Sequence, residues 1–464
     1  MLDKIRKNLI GDKAFYRAVL LVAFPIMIQN GFTTFVNMLD NIMVGRIGTD
    51  QMTGVAIANQ LILIFNLAIF GAVSGAGIFG AQFFGKDDKK GVVYSFRFKV
   101  IAAILICALG VGIFLIFGDE LVLMYLRGEG DVANIEASLD YGVRYLNIML
   151  IGFLPFALCQ CYSGTLREGG ETMLPMKSGV AAVLINLVGN ILLIFGPWII
   201  PSLGSDGAAI ATVISRFAEL GIVAWWTHFR SEKFSFMNEA YRSFRIPRDL
   251  LFGMIKKATP LMLNETFWSL ALALNTQCFS TRGYDVVSAV NIASTVNNVF
   301  SIVFMSMGNA IAIILGQHLG ANRTEQAASD SYKLIAFSTV CGAVCGTLLA
   351  AVSPFFPLIY NTTDSVKSLA TSLIIVLAIR MPINAMANAS YFTVRSGGRV
   401  FLTILLDTVY IYVITIPITF GLAYLTAIPI IPLYFISQMA DIGKCILGPT
   451  IVAKKIWVRN IVDK

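Results

Sequence analysis

Charge is what this chain has least of. Only 13% of its 464 residues are Asp, Glu, Lys or Arg, and 57% are hydrophobic. A soluble domain carries about 25% charged residues. That balance excludes a soluble globular protein and leaves a polytopic membrane protein. Histidine is scarcer still: His228 and His318 stand far apart and form no zinc-protease motif. The seven cysteines lie mostly inside apolar runs and no CxxC pair occurs. They read as small buried hydrophobes, neither disulfides nor metal ligands. No nucleophile–base or metal constellation appears, which argues against an intramembrane enzyme and against any cofactor. No ring of filter carbonyls is in view, which argues against a channel. No small-residue cleavage site follows the basic N-terminus, so the first apolar run reads as a membrane helix and not a signal peptide.

What is present is length and apolarity, repeated. Runs of membrane-spanning length occupy approximately residues 16–43, 53–82, 92–117, 139–165, 173–194 and 207–229. After a break come 251–279, 286–315, 331–351, 366–394, 400–425 and 433–452. With the N-terminus inside, the segments expected in the cytoplasm hold 27 Lys and Arg, against 4 in the external ones (Arg46, Arg127, Arg282, Lys367). Both termini should therefore be cytoplasmic. The net charge of +8 belongs to those loops and gives no reason to expect a nucleic-acid partner.

The halves match without gaps at an offset of 235: Pro25/Pro260, Met27/Met262, Phe32/Phe267, Gly48/Gly283, Asp50/Asp285, Phe65/Phe300, Gln82/Gln317 and Gly85/Gly320 among others. Arg167-x-Gly169-Gly170 matches Arg395-x-Gly397-Gly398 at 228, and Ile214-Ser215 with Glu219 matches Ile436-Ser437 with Asp441 at 222. Six spans per half is an even number, so both halves enter from the same side. The expected fold is an all-α integral membrane protein of about twelve transmembrane helices. They form two parallel six-helix lobes related by a pseudo-two-fold along the membrane normal. The expected division is 1–229 for the first lobe, 230–249 for a basic, aromatic cytoplasmic linker, and 250–464 for the second lobe. A cavity between two such lobes suits alternating access, the architecture of a transporter.

Few polar groups interrupt the spans, and each needs a reason. Gln29, Thr33, Asn37 and Asp40 fall at i, i+4, i+8 and i+11, one stripe of the first helix. Asp40 has two readings. From Arg17 it lies about 35 Å along a helix at ~1.5 Å per residue, far enough to rest at the outer interface. The stripe behind it argues instead for an interior face. Glu265 follows Lys256 by nine residues, roughly 13 Å into the seventh span. Ser269 and Thr276 share its face. Asn264, Trp268 and Asn275 make an adjacent one, with an aromatic wall suited to an organic cation. Asn186 and Asn190 are at i, i+4 on the fifth helix, as helix glue or as a polar site. Arg216 with Glu219, and Asp441 with Lys444, read as intrahelical pairs. Asp407 and Arg380 read as single charges that pair or line the second lobe. Pro25 and Pro260 sit within helices, as hinges or as plain kinks.

The run Asn37 to Gly48 containing Asp40, the paired Gln82-x-x-Gly85 and Gln317-x-x-Gly320, the Arg-x-Gly-Gly turns and Gly207-Ala208-Ala209-Ile210-Ala211-Thr212 together resemble the multidrug and toxic compound extrusion (MATE) family, of the MOP flippase superfamily. The resemblance covers nearly the whole chain. It implies export of organic cations in exchange for Na+ or H+. It also implies a first-lobe ion site at Asp40, Asn186, Asn190 and Thr212, and a second-lobe acid at Glu265, either of which would serve Na+. Asn190 departs from relatives that carry an acid there. The resemblance further casts Pro25 as a hinge.

The leading expectation is thus a secondary antiporter for hydrophobic cations, monomeric, in the plasma membrane of a prokaryote and in contact with its lipids. H+ is favoured as the coupling ion, because desolvation disfavours the charged form of an isolated carboxylate. Asp40 and Glu265 are both expected to be required. The alternative is a flippase for a lipid-linked oligosaccharide or cell-wall precursor. That substrate carries phosphates and would call for Lys and Arg in the cavity. Among the cavity candidates only Arg144, Arg216, Arg380 and Lys444 are basic.

Overall fold

The computed structural model describes residues 9–126, 132–196 and 201–463. Lys4, Arg6, Lys7, Arg127 and Lys464, all counted above for orientation, lie outside the described residues.

Long helices follow the apolar runs because a backbone in lipid must satisfy its own hydrogen bonds. They are α1 Lys13–Gly45, α2 Thr49–Gly85 and α3 Lys89–Leu126. The fourth run is broken: α4 comprises Val132–Ile151 and Phe153–Glu168, bent by 48° at Gly152. Then come α5 Met173–Phe195, α6 Gly204–Arg230, α7 Arg248–Ser280 and α8 Tyr284–Gly320. α9 is Thr324–Val352, α10 Asp364–Ser396, α11 Val400–Leu425 and α12 Ile430–Ala453. Ten of these are long and apolar enough to cross a membrane, and the bent α4 makes an eleventh. The twelfth long helix, α7, has 33 residues but carries Lys256, Lys257 and Glu265 among others, and it falls short on apolarity alone.

The Arg-x-Gly-Gly turns have a simple cause. Gly170 and Gly398 take φ of 82° and 70°, a region that favours glycine. Each donates its N–H to the arginine carbonyl three residues back, at 2.9 and 2.8 Å. Gly397 passes the backbone carbonyl of Trp457 so closely that a Cβ would not fit.

The described chain divides into two compact units. One comprises Met1–Met27, Ala81–Asp87 and Leu263–Lys464; the other comprises Ile28–Gly80 and Asp88–Met262. The changeovers in α1 and α7 fall two residues past Pro25 and Pro260, so each proline marks where a continuous helix passes from one unit to the other.

Within the second of these units the basic, aromatic stretch after α6 is not a loose tether. It forms a 3-10 helix, Ser235–Arg242. Buried Arg97 of α3 donates to the carbonyls of Ala240, Glu239 and Arg245 at 2.8, 2.7 and 3.1 Å. Tyr162 ties His228 to Tyr241 through two 2.8 Å hydrogen bonds.

Within the first unit the C-terminal segment is threaded through the ends of three helices. Gln82 donates to the carbonyls of Ser396 and Arg459 at 3.1 and 3.2 Å and accepts from the Ile461 N–H at 2.8 Å. Lys86 meets Asp463 at 2.6 Å, and Asn322 donates to the same carboxylate at 2.6 Å. These donors hold the Asp463 carboxyl below its usual range, the Lys86 hydrogen bond most. The two Gln-x-x-Gly motifs pack on each other: Gly85 abuts the Gln317 carbonyl, and Gly320 abuts the Gln82 carbonyl. Gln82→Leu leaves two carbonyls and one N–H unsatisfied, an expected loss of about 1–3 kcal/mol. Thermal unfolding of the purified variant checks this, and an unchanged midpoint would refute it.

Candidate functional site

In the unit that holds most of the first repeat, three helices converge on Asp40. Asn186 and Asn190, four residues apart on α5, put both amides on one face. They are 5% and 0% exposed. Asn190 Nδ2 donates to Asp40 Oδ1. Thr212 on α6 closes the group, its hydroxyl 3.1 Å from the Asn186 amide. The Asn186 amide is satisfied with its nitrogen toward Asp40: it donates across 3.1 and 3.2 Å to the two carboxylate oxygens and accepts from the Thr212 hydroxyl at 3.1 Å. Asp40 thus accepts from two side-chain amides. Asn190 Oδ1 is buried and takes no hydrogen bond. Among the described residues no Lys, Arg or His lies within ion-pair distance of Asp40.

The rest of the α1 stripe is divided. Gln29 accepts from Arg167. Thr33 turns its hydroxyl back to the Gln29 carbonyl at 2.9 Å. Asn37 is exposed and takes no part in the Asp40 cluster.

The other unit holds a different arrangement. Glu265 is not isolated, contrary to the expectation from its position: Arg395 Nη1 lies 3.8 Å away. Arg395 was counted among loop residues, yet its side chain is only 3% exposed and lies against Phe392 and Tyr391. Asp407 and Arg380 are not single charges, nor do they pair with each other. Arg380 pairs with Asp441 on α12. Asp407 accepts from Asn264 at 3.0 Å and lies 3.9 Å from Lys444. Lys444 also meets Asp441 at 3.4 Å, the pair expected from their spacing. α11 departs from regular α geometry where it carries Asp407: Leu405–Val409 and Ile411–Thr415 are π-helical turns. Such turns recur at functional sites. Thr408 donates to the Asn264 side chain from the first of them.

Trp268 is half-buried, and Asn275 carries a buried Oδ1 that accepts nothing. The repeat aligns Asn275 with Asp40 and Glu265 with Asn30. The two lobes therefore place their carboxylates at different levels of corresponding helices. Arg216, expected to pair with Glu219, instead donates to the Gly152 carbonyl at 3.4 Å and lies over Phe156. It thus touches the residue at which α4 bends.

The MatE family model matches residues 25–192 and 260–425. The chain belongs to the MatE family. The two matched stretches begin at Pro25 and Pro260, so the repeat inside the chain is the repeat of the family. Among similar proteins, the probable multidrug resistance protein YoeA of Bacillus subtilis (strain 168) is 23% identical over 420 residues, covering 90% of this chain and 89% of its own. The probable multidrug resistance protein NorM of Shewanella oneidensis is 25% identical over 365 residues, covering 78% of this chain and 77% of its own. The fold also matches a solved outward-facing conformation of a multidrug resistance MATE family transporter of the MOP superfamily. The TM-score is 0.86 at 17% identity, covering 97% of this chain and 98% of that one. It also matches a MOP superfamily transporter from Pyrococcus furiosus described as having a binding pocket of reverse polarity, with a TM-score of 0.84 at 17% identity over 97% of this chain and 98% of that one. As a MatE-family member the protein is a multi-pass membrane transporter of the multidrug efflux type, and not a member of an enzyme family.

Proposed function

We propose that this MatE-family protein is a secondary antiporter that exports hydrophobic organic cations in exchange for H+ by alternating access. One observation carries the reading. Asp40 accepts from the side-chain amides of Asn190 and Asn186, and among the described residues no Lys, Arg or His lies within ion-pair distance of it. A carboxylate so placed takes a proton on one side of the membrane and yields it on the other. Asn186, Asn190 and Thr212 orient it, and Pro25 and Pro260, cast as hinges within α1 and α7, lie two residues before the changeovers between units. The multidrug resistance proteins of similar sequence support an organic cation as cargo. Na+ as the coupling ion would meet oxygens of the same four side chains but only one formal charge.

The flippase reading asks for bases free to meet phosphates. Arg380, Arg395 and Lys444 each lie within 4 Å of a carboxylate, which supports the cation exporter instead. The deciding experiment is uptake of tetraphenylphosphonium into proteoliposomes under an imposed H+ or Na+ gradient. H+-driven movement is expected. Movement driven by Na+ at fixed pH would replace H+ with Na+, and movement under neither would sink the antiport.

Our reading is a monomer in the plasma membrane of a prokaryote, and the 27-to-4 bias in basic residues supports both termini and residues 230–249 in the cytoplasm. Single cysteines at Ser231 and Thr362, in a background lacking the native seven, should then label from opposite sides. Labelling of both on intact cells by an impermeant reagent would overturn the topology.

A further inference from the structure

Among the described residues of the second lobe, Glu265, Asp407 and Asp441 each have a base within 4 Å. Glu265 on α7 has Arg395 of α10 at 3.8 Å. Asp441 on α12 has Arg380 of α10 and, at 3.4 Å, Lys444 of its own helix. Asp407 on α11 has Lys444 at 3.9 Å, with the Asn264 amide of α7 at 3.0 Å on its other oxygen. Lys444 thus bridges two carboxylates, and its ammonium is held further by the face of the Tyr410 ring, 5.4 Å from the ring centre. Its side chain is 12% exposed, that of Arg395 only 3%. An ammonium seated between two carboxylates, against an aromatic face, occupies the place that a bound ion would take. Asp40 differs in kind, with amides around it and, among the described residues, no base within ion-pair distance.

We propose that Lys444 and Arg395 are resident counter-ions for Asp407 and Glu265, so that the second lobe carries no exchangeable ion and coupling falls to Asp40 alone. The proposal rests on the antiport reading for its second half only. Its first half is a statement about charge pairing, and it can be tested without transport. A carboxylate left in the interior without its base is uncompensated and takes up a proton. A tethered ammonium cannot leave with the substrate, so it neutralises the lobe in every conformation and contributes nothing to the ion count. The sequence match of the two halves thus conceals an asymmetry of function.

Infrared difference spectroscopy of the detergent-purified protein at neutral pH reads protonated carboxyls directly. The wild-type minus Asp407→Asn spectrum should contain no protonated-carboxyl band from Asp407. Lys444→Met should create one, and Lys444→Met combined with Asp407→Asn should remove it again. Lys444→Arg, which keeps the cation, should match the wild type. An Asp407 band already present in the wild type would overturn the proposal, and so would Lys444→Met that folds and shows none. The first comparison does not require Lys444→Met to fold. In proteoliposomes, the ions moved per tetraphenylphosphonium should be equal in wild type and in Glu265→Gln, and should rise by one in Lys444→Met. An ion count that falls in Glu265→Gln would also overturn it. Wild-type protein that moves no cation under either gradient would instead sink the antiport reading, while the infrared result still decides whether the counter-ions are resident.

Discussion

Asp40→Asn protein should insert and fold normally, yet export tetraphenylphosphonium under an H+ gradient roughly 5- to 150-fold more slowly, the range spanned by a coupling free energy of about 1–3 kcal/mol. Asparagine has the shape of aspartate. Its oxygen still accepts from the Asn190 amide, and the Asn186 side chain can turn its oxygen to meet the new amide. The cluster therefore survives in geometry and loses only the group that changes charge. Exchange of substrate across the bilayer with no ion gradient should fall far less than gradient-driven export. Such a split separates a coupling residue from one that merely holds helices together. Export by the variant at the wild-type rate would return Asp40 to the other reading of its position, an aspartate at the membrane interface that does nothing.

The largest expected effect on stability lies elsewhere. Lys99→Met should destabilise the protein by about 3–5 kcal/mol, the usual result of removing one partner from a buried ion pair. The Lys99 side chain is wholly buried; its ammonium donates to both Glu168 oxygens at 2.6 Å and to the Thr165 hydroxyl at 2.9 Å. Room for that carboxylate comes from Gly77 and Gly80 on α2, where any side chain would collide with it. The loss comes from the abandoned glutamate more than from the missing lysine. Lys99→Met combined with Glu168→Leu should therefore recover most of the stability. Thermal unfolding in detergent compares the three. A double variant no more stable than the single one would show that the lysine stem itself, and not the pairing, holds the site.

Neither Lys99 nor Arg395 is legible as a buried group in the sequence, and the reason is physical. Counting Lys and Arg for orientation treats every base near a helix end as solvated. Whether one turns inward depends on an acid that lies 69 residues away for Lys99 and 130 residues away for Arg395. Arg395 did leave a trace, since it opens one of the two Arg-x-Gly-Gly turns. That repeated motif marked the backbone geometry of the turns and said nothing of where the side chains go. The helices, in contrast, were legible almost throughout. Hydrocarbon imposes one rule on every span, and an unbroken apolar run satisfies it. The exceptions are local. Residues 139–165 read as one span, but α4 bends at Gly152, where Arg216 also reaches the backbone. The π-helical turns around Asp407 leave no mark that periodicity would detect. Asp40 and the three residues around it were legible as a site through the family resemblance and not through spacing, because they come from three helices.

The threading of the C-terminal segment bears on how the molecule is made. The Gln82 side chain finds all three of its backbone partners after residue 395, two of them after residue 458. During synthesis the end of α2 therefore gains these partners only after residues 396, 459 and 461 are made. A chain truncated after residue 458 would keep all twelve helices and lose two of the three partners.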